Sequence, residues 1–81
     1  GCRVEVEKMI ATGRIDMVVE TIHIIYVLEL KLSNNGGIDA AAEQIRSQQY
    51  AEPFKADKRR VVALAIELDD KGKGLIDWKE V

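Results

Sequence analysis

The chain has 81 residues, of which 47% are hydrophobic and 32% are charged, and its formal net charge is −2 at pH 7. This length allows one domain, and the composition is that of a globular domain rather than a disordered or low-complexity chain. The small negative charge argues against a protein that holds nucleic acid by an overall positive field. A single cysteine, Cys2, excludes an intramolecular disulfide and a zinc site built from several cysteines.

The sequence shows no signal peptide and no apolar run long enough to span a membrane. We therefore expect a cytoplasmic protein without a membrane partner. The chain starts with Gly1 and Cys2 instead of Met, so we interpret residues 1–81 as a single domain cut from a longer polypeptide.

The first predicted element is an amphipathic strand from Val4 to about Ile10, in which apolar and charged residues alternate. Residues 11–14 are predicted to form the following turn, where Gly13 supplies backbone freedom. Glu5 and Glu7 are interpreted as the solvated side of an edge strand. Acids next to a metal site are the alternative.

The central segment, residues 14–32, is strongly apolar and rich in β-branched residues, which favours strands. It divides into two antiparallel strands, residues 14–21 and 24–32, joined by a tight turn at Ile22 and His23. Neither turn residue readily adopts a positive φ, so the turn sequence is not a favoured one. An odd-length loop or a β-bulge would shift the pairing, and the sequence leaves this alternative open.

Three charged residues inside this hairpin, Asp16, Glu29 and Lys31, are unusual because buried strands rarely hold unpaired charges. With a two-residue turn, Asp16 lies directly opposite Glu29, and Lys31 shares the face of Glu29. Adjacent carboxylates repel each other, and a divalent cation such as Mg²⁺ relieves the repulsion. The three residues are therefore a candidate site for metal-dependent phosphodiester hydrolysis, in which Lys31 orients a water or offsets phosphate charge. The alternative is a wet sheet face on which these charges and Arg14 form ordinary ion pairs.

The two faces of the hairpin differ in polarity. The face of Asp16 and Glu29 also carries Val18 and Val27. The opposite face is almost entirely apolar, and we interpret it as the surface that packs into the core. Its residues are Ile15, Met17, Val19, Tyr26, Leu28, Leu30 and Leu32.

After the hairpin, residues 33–37 form a clear polar and glycine-rich break. Apolar residues at helical spacing then predict a helix over residues 38–49. Residues 50–57 contain the only proline and connect this helix to the next strand. Tyr50 and Phe54 are interpreted as packing residues at one end of the core.

The last part of the chain predicts two more strands. Residues 60–68 form a nearly continuous apolar run, which predicts a buried strand parallel to residues 24–32 because a helix separates them. Residues 76–78 are a short final strand, and Trp78 is expected to cover the core. The one basic cluster is either a solvated loop or a set of phosphate contacts; it consists of Lys55, Lys58, Arg59 and Arg60.

The turn between these strands partly imitates a calcium-binding loop, with Asp69 and Glu80 at its two ends. Lys71 and Lys73 occupy positions where such a loop requires oxygen ligands. A glycine-rich turn therefore explains the pattern better than a calcium site.

Several of these segments together resemble the PD-(D/E)XK nuclease superfamily, most closely the bacterial branch whose members often follow an AAA-ATPase-like domain. The Asp…Glu-x-Lys signature alone is short and common, but the later segments and the β-β-β-α-β order make the similarity more specific. It extends from about Val4 to Trp78. The residues that carry it are Gly13-Arg14-Ile15-Asp16, Glu29-Leu30-Lys31-Leu32, Glu43-Gln44-Ile45 and Tyr50-Ala51-Glu52-Pro53-Phe54.

The resemblance implies an α/β fold with a mixed four- to five-stranded sheet, built from an antiparallel β-meander, a crossover helix and a parallel strand. This restriction-endonuclease-like core lacks the usual helix before the first strand, a helix that normally supplies another acid. The sequence also has Ile15 where the superfamily's name suggests Pro.

The resemblance also implies roles for individual residues. Asp16 and Glu29 are the implied metal ligands, with the Leu30 carbonyl as a third ligand, and the implied cofactor is Mg²⁺ or alternatively Mn²⁺. Lys31 is the implied catalytic lysine. Gln44 resembles an accessory active-site residue; from its position alone, a solvated helix side chain is the alternative.

The function implied is Mg²⁺-dependent hydrolysis of nucleic acid, with DNA as the expected partner and an ATPase-like domain elsewhere in the parent chain. The alternative is a non-catalytic nuclease-like interaction domain of an ATPase-linked protein. A third interpretation is a fragment that forms a homodimer to cover exposed sheet.

Overall fold

The computed structural model describes residues 1–10 and 13–81, and the described chain forms five strands and one α-helix. The predicted turn at residues 11–14 therefore lies partly outside the described residues. Two short 3₁₀ turns, at residues 33–35 and 52–54, flank the helix. The elements are β1 (Arg3–Ile10), β2 (Gly13–Glu20), β3 (Ile24–Leu32), α1 (Gly37–Ser47), β4 (Arg60–Leu68) and β5 (Leu75–Glu80).

The strands form one mixed sheet in the order β1-β2-β3-β4-β5. Only the β3–β4 pair is parallel, and the other neighbours in this sheet are antiparallel. A parallel pair needs a crossover connection, which α1 provides between β3 and β4. The predicted α/β fold, with its antiparallel meander, crossover helix and parallel strand, is confirmed.

The β2–β3 hairpin has the two-residue turn that the sequence predicted. The backbone N–H of Thr21 donates to the carbonyl of Ile24 at 2.8 Å, and the Ile24 N–H donates to Thr21 Oγ1 at 2.9 Å. The predicted register holds from Glu20–Ile25 to Met17–Leu28, where the ladder of the described residues stops. Asp16 and Glu29 therefore do not form the directly opposed pair that the register predicted.

The core lies between α1 and one face of the sheet. Glu29 is buried in this face with only 2% of its surface exposed. The buried apolar side chains that form this core are Ile15, Val18, Ile25, Val27, Ala41, Ala42, Ile45, Tyr50 and Ala65.

The prediction of which hairpin face packs into the core was wrong. Helix α1 covers the face of Val18, Val27 and Glu29, because these alternate residues point toward it. The opposite face is only half-buried, since no second helix exists among residues 1–10 and 13–81 to cover it. The half-buried residues of the predicted core face are Met17, Val19, Tyr26, Leu28, Leu30 and Leu32.

Two predictions, about Trp78 and about the end of the helix, also need correction. Trp78 does not cover the core, because it lies on the outer strand β5 and is 59% exposed. The helix begins at Gly37 and ends at Ser47, two residues before the predicted end. Within the described residues, no helix combines the length and the apolar character needed to cross a membrane.

Candidate active site

A cavity of about 210 Å³ lies between β2, the carboxyl half of β3 and α1. It contains every residue that the sequence analysis assigned to the site. Strand β2 supplies Asp16, β3 supplies Glu29, Leu30 and Lys31, and α1 supplies Gln44. The complete lining is Arg14, Asp16, Glu29, Leu30, Lys31, Leu32, Asn35, Gln44 and Leu68.

An irregularity in the first two strands positions Asp16. In a regular strand, Ile15 and Val18 would point to opposite faces, yet both are fully buried on the α1 side. On β1, Glu7 has a left-handed φ of 57° at the position across from Asp16. The regular alternation of side chains between the two faces of the sheet is therefore broken here, and Asp16 lies at the break.

The Asp16 carboxylate is fixed from two sides. The backbone N–H of Leu30 donates to Asp16 Oδ2 at 3.0 Å, in place of the next rung of the hairpin ladder. Arg14 Nη2 lies 3.9 Å from Asp16 Oδ1. Asp16 thus stays at the rim of the cavity although it is not directly opposite Glu29.

The Glu29 carboxylate is the most buried charged group of the described chain. Its Oε1 accepts a hydrogen bond from the Tyr50 hydroxyl at 2.5 Å, and its Oε2 lies 3.7 Å from Lys31 Nζ. Burial raises the pKa of Glu29, and the neighbouring Asp16 carboxylate raises it further, against the lowering effects of Tyr50 and Lys31. The site therefore disfavours the charged form of Glu29 unless further positive charge is present.

Tyr50 is a site residue that the sequence analysis treated only as a packing residue. Its ring is fully buried, and its hydroxyl lies 2.8 Å from the Arg14 carbonyl as well as against Glu29. One hydroxyl proton can serve only one of these acceptors at a time, so both contacts are satisfied together when Glu29 carries a proton. Burial and the contact with Glu29 raise the pKa of Tyr50, which keeps it protonated at neutral pH.

Gln44 reaches the site through Tyr50. Its Nε2 donates a hydrogen bond to the Tyr50 hydroxyl at 3.0 Å, and its side chain lines the cavity. A chain of contacts thus runs from α1 through Tyr50 to Glu29 on β3. The catalytic role of Gln44 and the metal contact of the Leu30 carbonyl stay predictions.

Four lining residues had no role at the site in the sequence analysis: Arg14, Leu32, Asn35 and Leu68. Asn35 lies three residues after the end of β3, in the polar break, and Leu68 is the last residue of the parallel neighbour β4. Since the carboxyl ends of parallel strands meet at one edge of a sheet, the predicted topology was the signal that places both near Lys31.

The other acidic candidates do not reach the cavity. Glu5 pairs with Lys8 at 3.4 Å, and Glu7 pairs with Arg14 at 3.5 Å. Neither lines the cavity. Their interpretation as the polar side of an edge strand agrees with these contacts.

Arg59 and Arg60 of the predicted basic cluster lie at the other end of the sheet. Arg60 is paired with Ile24 at the amino ends of the parallel strands, whereas Lys31 is near their carboxyl ends. Lys55 is 2.7 Å from Glu52, and Arg59 is 2.8 Å from both Glu20 and Asp57. These contacts favour the solvated-loop interpretation over phosphate contacts.

The residues of the cavity fit a hard divalent cation. Two carboxylates lie close together, and burial, together with the neighbouring Asp16 carboxylate, raises the pKa of Glu29. Mg²⁺ is typically held by one or two carboxylates, with waters and phosphate oxygens completing its octahedron. Among residues 1–10 and 13–81, no group of three or more His, Cys, Asp or Glu side chains is arranged to hold a metal ion.

Comparison with known families gives one match. A family model described as the PD-(D/E)XK nuclease superfamily matches residues 1–78. Among curated proteins and solved structures, none matches the chain significantly.

Proposed function

The chain belongs to the PD-(D/E)XK nuclease superfamily, and we propose that it is a cytoplasmic nuclease domain that hydrolyses phosphodiester bonds of DNA with Mg²⁺. One observation carries this proposal. Asp16, Glu29 and Lys31 come from neighbouring strands and meet in one cavity, around a carboxylate that is almost completely buried.

Asp16 and Glu29 are the residues that would hold the ion, with the Leu30 carbonyl as the proposed third ligand and Mn²⁺ as the alternative metal. When bound, the ion supplies Lewis-acid activation of the phosphodiester and of a water. Lys31 is held beside the carboxylates by Glu29. From there its ammonium either orients the attacking water or stabilises negative charge that develops on the phosphate.

Gln44 and Tyr50 act on Glu29 in this proposal. Tyr50 donates to one carboxylate oxygen and so leaves the other oxygen directed toward Lys31. Gln44 fixes the orientation of the Tyr50 hydroxyl. Residues that orient metal ligands in this way commonly affect metal affinity and activity by 10- to 100-fold.

The direct test is cleavage of plasmid and single-stranded DNA with Mg²⁺, using the full-length protein. We expect cleavage by the native protein, none with a chelator, and a loss of about 100-fold or more in Asp16→Asn and Lys31→Ala. Glu5→Gln is the matched control, because Glu5 is an acid of the same sheet outside the cavity. Metal-dependent cleavage that survives in Asp16→Asn would exclude this site.

A non-catalytic interaction domain, coupled to an ATPase-like domain of the same protein, is the second candidate. The half-buried apolar face of the sheet and the exposed side chains of Val4, Val6 and Trp78 favour it, since such faces mark interaction surfaces. This candidate predicts no cleavage and no change in thermal stability on addition of Mg²⁺ or Mn²⁺.

The same sheet face also supports a homodimer, in which two copies pack face to face. Face-to-face packing of two sheets is a common way to bury such surfaces. Light scattering or ultracentrifugation gives the mass in solution. A dimer that Val6→Lys dissociates would support this arrangement, and a monomeric native protein would contradict it.

A further inference from the structure

The positive charge available to a nucleic-acid substrate near the cavity is limited. Arg14 lies near Glu7 and Asp16, and Lys31 lies near Glu29, so the acids of the site already balance both cations at its rim. The chain as a whole carries a net charge of −2. A polyanionic substrate therefore needs further cations close to the cavity to offset its repulsion by the acids.

The turn between β4 and β5, residues 69–74, borders the cavity. It follows Leu68, a lining residue, and Gly72 lies against another one, since a Cβ at Gly72 would be 3.8 Å from Leu32 Cδ2. The turn is also tied to the segment after β3, because the backbone N–H of Asn34 donates to Asp70 Oδ1 at 2.9 Å. Asn35, the next residue, lines the cavity.

Hydrogen bonds from backbone N–H groups to the carboxylates of this turn define its shape. Asp69 Oδ1 accepts from the backbone N–H groups of Lys71 at 3.2 Å and Lys73 at 2.8 Å. These bonds lower the pKa of Asp69, which keeps it charged and directed into the turn. The side chains of Lys71 and Lys73 are exposed, and neither has an ion-pair partner in the described part of the chain.

We propose that Lys71 and Lys73 form a phosphate-binding edge, which holds the nucleic-acid backbone next to the cavity. This inference rests on the proposed function and names the part of the chain that grips the substrate. Two lysines on one hydrogen-bonded turn can contact phosphates of one strand without reading its sequence, because such contacts position a backbone and do not distinguish bases. The edge therefore contributes affinity and leaves the chemistry to the cavity.

Binding measurements test this edge separately from cleavage. Fluorescence anisotropy with a labelled DNA oligonucleotide, in the presence of a chelator, gives the affinity over a range of salt concentrations. We expect Lys71→Ala/Lys73→Ala to weaken binding several-fold and to flatten the plot of log affinity against log salt by about 1 for each lysine. Lys58→Ala/Arg60→Ala removes two exposed cations at the start of β4, at the opposite end of the sheet from Lys31, and should match the native protein.

Cleavage kinetics of the same variants separate the edge from the catalytic site. We expect Lys71→Ala/Lys73→Ala to raise KM and to leave kcat unchanged, whereas Asp16→Asn should lose kcat and keep its binding. Equal losses of binding in Lys71→Ala/Lys73→Ala and Lys58→Ala/Arg60→Ala, or native binding in Lys71→Ala/Lys73→Ala, would overturn the edge while the proposed function stands. A native protein that neither binds nor cleaves DNA would overturn both.

Discussion

Burial of the Glu29 carboxylate lowers the stability of the metal-free protein, although the same carboxylate is a proposed metal ligand. Its pKa is raised in the folded chain, so folding favours the protonated form over the charged one. Without metal, the ionisation of Glu29 therefore lowers the free energy of unfolding as the pH rises from 4.5, its pKa in the unfolded chain, through its higher pKa in the folded chain. Glutamine keeps an acceptor for Tyr50 and carries no charge, which removes this penalty.

We therefore predict that Glu29→Gln raises the melting temperature of the metal-free protein at pH 7. The difference from the native protein should close in acid below about pH 4.5, where both side chains are neutral. Thermal melts with a chelator between pH 4 and pH 8 measure this. The control Glu43→Gln, on the exposed side of α1, should leave the melting temperature unchanged. A Glu29→Gln protein less stable than the native one at pH 7 would contradict the electrostatic account.

The ring of Tyr50 packs in the core, and its hydroxyl oxygen contacts the residues of the site. Tyr50→Phe keeps the buried ring but removes the partner of Glu29, Arg14 and Gln44. We predict a loss of about 1–3 kcal/mol in the free energy of unfolding, because buried polar groups lose their partner. Calorimetric titration should also show Mn²⁺ affinity reduced by about 10- to 100-fold.

Tyr26→Phe is the matched control for Tyr50, because Tyr26 lies on the opposite, half-buried face of the sheet. It should keep native metal affinity. Equal metal affinity in Tyr50→Phe and the native protein would show that the hydroxyl does not orient Glu29. The sequence analysis interpreted Tyr50 as a packing residue at one end of the core, and the structure buries it. It did not predict the contact with Glu29, which joins residues far apart in the chain and follows only from the way α1 packs.

Helix α1 depends on a close approach of its first residues to β4. Gly37 has a φ of 59°, and a Cβ there would lie 2.6 Å from Glu67 Oε1, which accepts the Ile38 N–H at 2.9 Å. An alanine at this position adopts a left-handed conformation and also displaces the carboxylate that caps the helix. Since α1 carries Gln44 and leads to Tyr50, this start of the helix also affects the site.

We predict that Gly37→Ala lowers the free energy of unfolding by about 2 kcal/mol or more, the left-handed backbone alone accounting for about 1–2 kcal/mol. Gly72→Ala separates the two causes, because Gly72 has a φ of 70° but no atom nearer than 3.8 Å to a Cβ. Urea unfolding of both variants gives the comparison. A Gly72→Ala protein that loses as much stability as Gly37→Ala would show that the contact with Glu67 does not matter.

The sequence did not determine which face of the β2–β3 hairpin packs against α1. Both faces of the β2–β3 hairpin carry apolar residues, so alternation alone allows either face to pack into the core. The prediction chose the face without charges, whereas α1 covers the face that contains Glu29. The buried carboxylate misled the prediction, because a charge in a core is normally excluded unless it is paired.

For the molecule as a whole, strand order and direction were predictable, because the tight turn at residues 22–23 and the helix between β3 and β4 each allow few connections. The residues that meet at the site were predictable for the same reason, since Asp16, Glu29 and Lys31 lie on adjacent strands. The irregularity at Asp16 and Glu7 was not predictable, because a break in the alternation of side chains along a strand has no clear signature in the sequence.

Titration of the protein with Mn²⁺, followed by electron paramagnetic resonance, tests most directly whether a cation explains these paired carboxylates. We predict one bound ion per chain, lost in both Asp16→Asn and Glu29→Gln and retained in Glu5→Gln, whose carboxylate lies outside the cavity. Binding that is absent in the native protein, or unchanged in Asp16→Asn and Glu29→Gln, would contradict the assignment of this cavity as a metal-dependent active site.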